Sequence, residues 1–210
     1  VNWAIDNLDL IGRLTLVHAR QSAVALAVAL ILSIPIGWAA WRYRPLRGLL
    51  TGITGLLYTV PSLALLVILP LIAGYPASSE TNLVVALTLY GLAILVRSVV
   101  EALDSVDPDV RQAARAVGYA GVRRFFEVDL RLAVPVLVAG LRVASVSTVA
   151  LATVGILVGV ENLGYLFTNG LQRRIIAEVL AGVGAVVVIA LVLDLVLMLA
   201  GRMLTPWRRA

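Results

Sequence analysis

Two ionisable side chains sit deep in apolar runs of this chain, Arg142 and Asp194. Arg142 falls seven residues after Pro135, and Asp194 eight before Arg202. At ~1.5 Å per helical residue, each lies about 10–12 Å in from the end of its segment. Opposite signs at matched depth predict an intramembrane ion pair, because an unpaired charge there is expensive. A gating or solute-path role is the other reading of the same two groups. Catalytic chemistry, by contrast, lacks its residues. All seventeen basic residues are Arg, so no Lys serves a phosphate-binding P-loop, and no Gly-rich loop of that pattern occurs. One His and no Cys exclude a His-pair metalloprotease motif and a Cys-His nucleophile. His18 is remote from any Gly-x-Ser-x-Gly, which is absent, and reads as a polar residue at headgroup level. No metal site is expected, and the chain is not expected to be an enzyme.

The elements that carry these groups are membrane helices. The chain is 61% hydrophobic and 14% charged, with mean hydropathy +1.00, more apolar than a soluble domain of 210 residues can cover. Five stretches approach the ~20 residues of a bilayer crossing, at about 21–41, 49–73, 81–100, 136–160 and 176–200. The third has the shortest uninterrupted core, Leu83 to Val96, and spans only if Arg97 reaches along its stem to the interface. The expected fold is therefore an all-α polytopic membrane protein, a single domain over 1–210. The turn at 42–47, the 97–131 segment and the 202–209 tail hold twelve of the seventeen basic residues. Positive-inside counting then puts the N-terminus outside and the C-terminus in the cytoplasm. The same loop-edge distribution of the +5 charge, with little aromatic interleaving, argues against nucleic acid as a partner. Val1 is not Met, which fits an alternative start or trimming, and the length of the first apolar run argues against a cleaved signal peptide.

One polar interruption stands out, a loop over about 101–135. Asp107 is a good N-cap, Pro108 suits the first helical position, and Asp109 complements the positive end of the dipole. Gly118 falls where a left-handed residue would stop that helix. A second short helix can follow through Val122–Glu127. An exposed, capped helix between two spans is suited to helix-in-groove contact with a partner. Ala113 and Ala114 permit close approach, and Val117, Phe125 and Phe126 offer apolar anchors. Arg111, Arg115, Arg123 and Arg124 can meet acidic residues or anionic headgroups. An ordinary amphipathic connector is the plainer alternative.

Gln112-Ala113-Ala114, Gly118 and Val128-Asp129-Leu130, in that order and spacing, resemble the "EAA" loop of the membrane subunits of ABC importers. Gln112 stands where that family usually has Glu, and Arg131 where it usually has Pro. Thr59-Val60-Pro61-Ser62, Ser105-Val106-Asp107-Pro108 and Val138-Ala139-Gly140-Leu141-Arg142 extend the likeness to the osmoprotectant branch, over roughly 15–200. Where that branch often has Gly-Gly-Leu-Gly, this chain has Glu161-Asn162-Leu163-Gly164. The resemblance implies a permease subunit in a bacterial inner membrane, with the loop as a cytoplasmic coupling helix. It implies partners too: ABC ATPase subunits that use ATP and Mg, a second permease, and an extracytoplasmic substrate-binding protein. Asp107, Arg111, Gln112, Ala113, Ala114, Arg115, Val117, Gly118, Phe125 and Phe126 would make the ATPase contact. Cargo would be a compatible solute such as glycine betaine, choline, carnitine or proline. Another small solute such as an amino acid, an ATP-independent channel or secondary transporter, and a membrane scaffold without flux are the alternatives.

Within the spans, two readings stand side by side at each polar feature. Small residues along span four permit tight helix packing, with Gly155-x₃-Gly159 at a close-approach spacing. Ser145, Ser147 or Thr148 can also face a polar path. Pro61-Ser62 predicts a kink at membrane depth, and the resemblance implies a hinge or gate there. Tyr58 and Tyr90 offer aromatic surface to a quaternary ammonium group.

Overall fold

In a computed structural model describing residues 2–209, with Val1 and Ala210 outside that range, every regular element is helical. A short α1 (Asn2–Asp6) precedes α2 (Leu8–Arg42), α3 (Arg44–Thr59), α4 (Ser62–Ala73) and α5 (Glu80–Asp104). The polar loop forms α6 (Pro108–Ala116) and α7 (Gly121–Arg124). One π-helical turn, Phe125–Asp129, then runs into α8 (Leu130–Ala152). A 3-10 stretch (Thr153–Val158), α9 (Gly164–Gln172), α10 (Ile176–Leu204) and a last 3-10 turn (Pro206–Arg209) follow.

Among the described residues, four stretches are each long and apolar enough to cross a bilayer: Leu8–Arg42, Glu80–Asp104, Gly121–Val158 and Ile176–Leu204. A fifth crossing exists only if α3 and α4 are taken together, and these meet at 108°. The expected kink at Pro61 is thus a full break. Val60, extended at ψ 129°, obeys the steric bias of a residue before proline, and Pro61 has no N–H to continue the ladder.

The stretch with the shortest apolar core, α5, is the centre of the bundle. Leu83, Leu87, Leu95, Val96, Val99 and Leu103 are all buried, with α2 and α8 on either side. Close approach is set by missing side chains. A Cβ at Gly37 of α2 would lie 2.6 Å from Val99, and one at Gly140 of α8 would lie 2.5 Å from the Ser98 Cβ. Arg97 remains exposed on α5, with no ion-pair partner among the described residues. Gly155 and Gly159 do not form a helical close-approach face: α8 has already ended, and Gly159 takes a left-handed φ of 87°.

Ion pairs and rings tie the two ends. At one end, Arg47 meets Asp104 at 2.5 Å, and Trp38 stacks edge-on to Phe125 at 5.8 Å. The polar loop and the 42–47 turn therefore share that end. At the other, Arg13 pairs with Glu161 at 2.8 Å and Arg20 with Glu80 at 2.7 Å.

Candidate functional site

The α6 helix starts and stops through local chemistry. The Asp107 carboxylate accepts from the Asp109 N–H at 2.8 Å, and Pro108 occupies the first turn. At the other end, Tyr119 N–H bonds the Ala114 carbonyl at 2.9 Å and Gly118 N–H the Arg115 carbonyl at 3.1 Å. This pair of bonds is a Schellman cap, and Gly118 supplies its left-handed residue at φ 91°. Space there is open, so conformation alone requires the glycine.

The helix is held to the bundle by Asp129, which is fully buried at the base of α8. Arg111 Nε donates to its Oδ1 at 3.0 Å, and Arg124 Nε to its Oδ2 at 3.1 Å. Arg111 also donates to the Leu103 carbonyl at the end of α5 and lies 4.8 Å over the Trp41 ring. One carboxylate thus joins α6, α7 and α8, while Arg111 carries the link on to α2 and α5.

These contacts correct several sequence expectations. Arg111 and Arg124 face inward to Asp129 and cannot also meet a partner's acids, and Arg123 pairs with Glu127 at 3.2 Å. Among the four arginines, Arg115 stays exposed with no ion-pair partner among the described residues. Phe125 is not an outward anchor, because it is 7% exposed against Trp38. Phe126 and Val117 are exposed, and Val122 joins them. Gln112 and Ala113 are exposed, whereas Ala114 is buried under the helix. The outer surface of the loop is therefore Gln112, Ala113, Arg115, Val117, Val122 and Phe126.

Within the bundle, the Arg142 guanidinium grips Asp194 with both arms, Nε to Oδ1 and Nη2 to Oδ2, each 2.7 Å. The bidentate geometry joins α8 to α10. Of the three hydroxyls assigned to a path, only Ser147 reaches open space. Ser145 and Thr148 are buried, and the Ser145 Oγ donates back to the Arg142 carbonyl. Ser147 instead lines a cavity of about 460 Å³ beside the α3–α4 break, together with Tyr58, Pro61, Ser62 and Tyr90. Tyr58 is exposed, while Tyr90 is buried and its hydroxyl donates to the Val60 carbonyl.

At the far end, His18 is fully buried among the helices, and its Nε2–H donates to the Val149 carbonyl at 3.0 Å. Asn162 caps the turn after α8: its Nδ2 donates to the Ala152 carbonyl at 2.7 Å and its Oδ1 accepts from Gly164 N–H at 2.8 Å. Beside it, the Arg13 guanidinium, chiefly through its hydrogen bonds, holds the Glu161 carboxyl below the usual carboxylate range. Sequence reasoning passed over Asp129, Trp41 and Asn162 as site residues. Asp129 lay inside the loop motif, but nothing local says that two arginines converge on it. No cluster of His, Cys, Asp or Glu among the described residues could hold a metal ion.

A family model described as "binding-protein-dependent transport system inner membrane component" matches residues 21–210. The chain is 32% identical over 209 residues to the osmoprotectant import permease protein OsmW of Salmonella typhimurium, covering 98% of this chain and 97% of that one. It is 30% identical over 193 residues to the glycine betaine/carnitine/choline transport system permease protein OpuCD of Bacillus subtilis, covering 91% and 83%. Among solved structures, the MetNI methionine ABC transporter in inward-facing form aligns with a TM-score of 0.77 at 21% identity, over 96% of this chain and 97% of that one. The last likeness is one of fold.

Proposed function

Because the chain belongs to the family of inner membrane components of binding-protein-dependent transport systems, we propose that it is half of the pathway of an ATP-driven importer of compatible solutes. Glycine betaine, choline, carnitine and proline are the cargo class, the first three in keeping with the name of the Bacillus relative and the class with that of the Salmonella one. The observation that carries the reading is the capped α6 helix, braced from behind by Asp129 and presenting Gln112, Ala113, Val117 and Phe126 outward.

In this reading α6 docks in a groove of an ATPase subunit. The loop end faces the cytoplasm, because the 42–47 turn, the loop and the C-terminal tail carry most of the arginines. ATP and Mg are used by the partner ATPases, and this chain binds no cofactor itself. A second permease, the same or homologous, supplies the other half of the path, and an extracytoplasmic binding protein delivers cargo at the Glu161 end. The brace supplies the mechanical link. When the ATPases close, a displacement of α6 reaches α8 through Asp129 and α5 through the Arg111–Leu103 contact. The spans then tilt, and access alternates between the two sides.

The test is to purify the tagged protein gently from its membrane and identify its stoichiometric partners. A P-loop ATPase should accompany the wild type and be lost or uncoupled in Gly118→Leu, with insertion unaffected. A folded protein without any ATPase, or normal uptake by Gly118→Leu, would overturn the docking reading.

A further inference from the structure

The break between α3 and α4 opens a cavity with no charged side chain in its lining. About 460 Å³ in volume, it is lined by Tyr58, Pro61, Ser62, Tyr90 and Ser147 among others. Helix α3 ends and α4 begins here, so opposed dipole ends offset each other at the gap, where the first N–H groups of α4 lie near the last carbonyls of α3. Pro61 has no N–H to offer them. Among the described residues, no turn hydrogen bond is made to the Tyr58 or Thr59 carbonyl. The Tyr58 ring is 50% exposed. Tyr90 stands nearly perpendicular to it, with centroids 6.0 Å apart and planes at 81°. Its hydroxyl holds the Val60 carbonyl, which keeps the broken segment in place.

This chemistry selects among ligands. An anion would need a guanidinium counter-charge, and none lines the cavity. A small hard cation would need carboxylates, and none lines the cavity. A quaternary ammonium group fits both features: its charge is diffuse and weakly hydrated, and its methyl groups suit an aromatic face. We propose that this cavity is a transit site for the quaternary ammonium group of the cargo. Tyr58 supplies the ring face, and Tyr90 is the positioning residue that fixes the carbonyls. The proposal rests on the importer reading above and adds the place where the cation pauses.

The experiment uses the whole transporter, with its ATPase and binding protein, in liposomes, and counts choline and glycine betaine moved per ATP hydrolysed. Tyr58→Leu removes the ring and should lower that ratio by roughly threefold to thirtyfold, the worth of one ring–cation contact. Tyr58→Phe and Tyr58→Trp restore a π face and should recover most of the loss. Tyr90→Phe keeps the ring but releases the Val60 carbonyl, and should fall between. An equal loss in the Leu, Phe and Trp variants would mean a purely structural role and overturn the site, as would a wild-type ratio in Tyr58→Leu. If the wild type hydrolyses ATP with its binding protein but moves neither probe, the cargo reading itself fails, and this site with it.

Discussion

Replacing Asp129 with Asn tests whether the brace behind α6 does what its geometry implies. The amide keeps the shape of the carboxylate but leaves two guanidinium groups without a counter-charge. The side chain of Asp129 is 1% exposed, and those of Arg111 and Arg124 are 14% and 13% exposed, so solvent screens little of the loss. Breaking a buried pair by removing one partner costs about 3–5 kcal/mol. Two charge-assisted hydrogen bonds, each ~1.5–3 kcal/mol, lead to the same range. Since Asn retains one acceptor, the lower end, about 3 kcal/mol, is the expected value, a shift of roughly 100-fold in an equilibrium. The apolar bundle does not depend on these bonds, so α6 and α7 should detach before the spans unfold. Limited trypsin digestion of membrane vesicles reads this directly, because Arg115, Arg123 and Arg124 lie in the segment. Cleavage there should accelerate by roughly two orders of magnitude and uptake should fall, while the protein stays inserted. The apolar triple variant Arg111→Met, Arg124→Met, Asp129→Leu should regain much of the protection. Unchanged protection in Asp129→Asn would refute the brace.

Further outcomes follow from the same structure. Arg142→Leu should lower the yield of assembled protein, because it leaves Asp194 unpaired within an apolar span, and adding Asp194→Leu should recover part of it; no recovery in the double variant would count against the pair. Gly118→Ala should weaken uptake through about 1–2 kcal/mol of left-handed strain, and Gly118→Asn should be milder, since nothing crowds the position. Equal uptake by both would argue that the cap is unimportant. Glu161, held low by Arg13, contributes fully above its unfolded value of about 4.3 and loses that contribution as pH falls through the lower folded value. Both side chains are about half exposed, so the effect is screened and small. The thermal midpoint should drop less between pH 7 and pH 3.5 in Glu161→Gln than in the wild type at low salt, and identical drops would remove the pair from the account.

The sequence by itself was enough for the features that depend on composition or on neighbours a few residues away. Mean hydropathy of +1.00 demands membrane helices. Asp107, Pro108 and Gly118 mark the ends of α6 because capping is a local exchange of hydrogen bonds, satisfied within one turn. Pro61 announced an interruption for the same reason, and the ordered loop motif pointed to the family to which the chain belongs. The size of the break, 108°, was not local, since it depends on α4 packing Leu65 and Leu66 against α5.

Only the tertiary structure decided which side chains face in. Phe125 and Phe126 are neighbours in sequence, yet the π turn brings the first against Trp38 and leaves the second outside. Ser147 reaches a cavity while Ser145 and Thr148 do not, and Asp129 gathers partners 18 and 5 residues away. Helix α5, with the least persuasive apolar run, became the core. The reason is the solvent: lipid tails are as apolar as leucine, so hydrophobicity marks that a residue leaves water but not whether it meets protein or membrane. In such a chain the inward face is chosen by packing, as where Gly37 meets Val99 and Gly140 meets Ser98, and those meetings exist only once the helices are together.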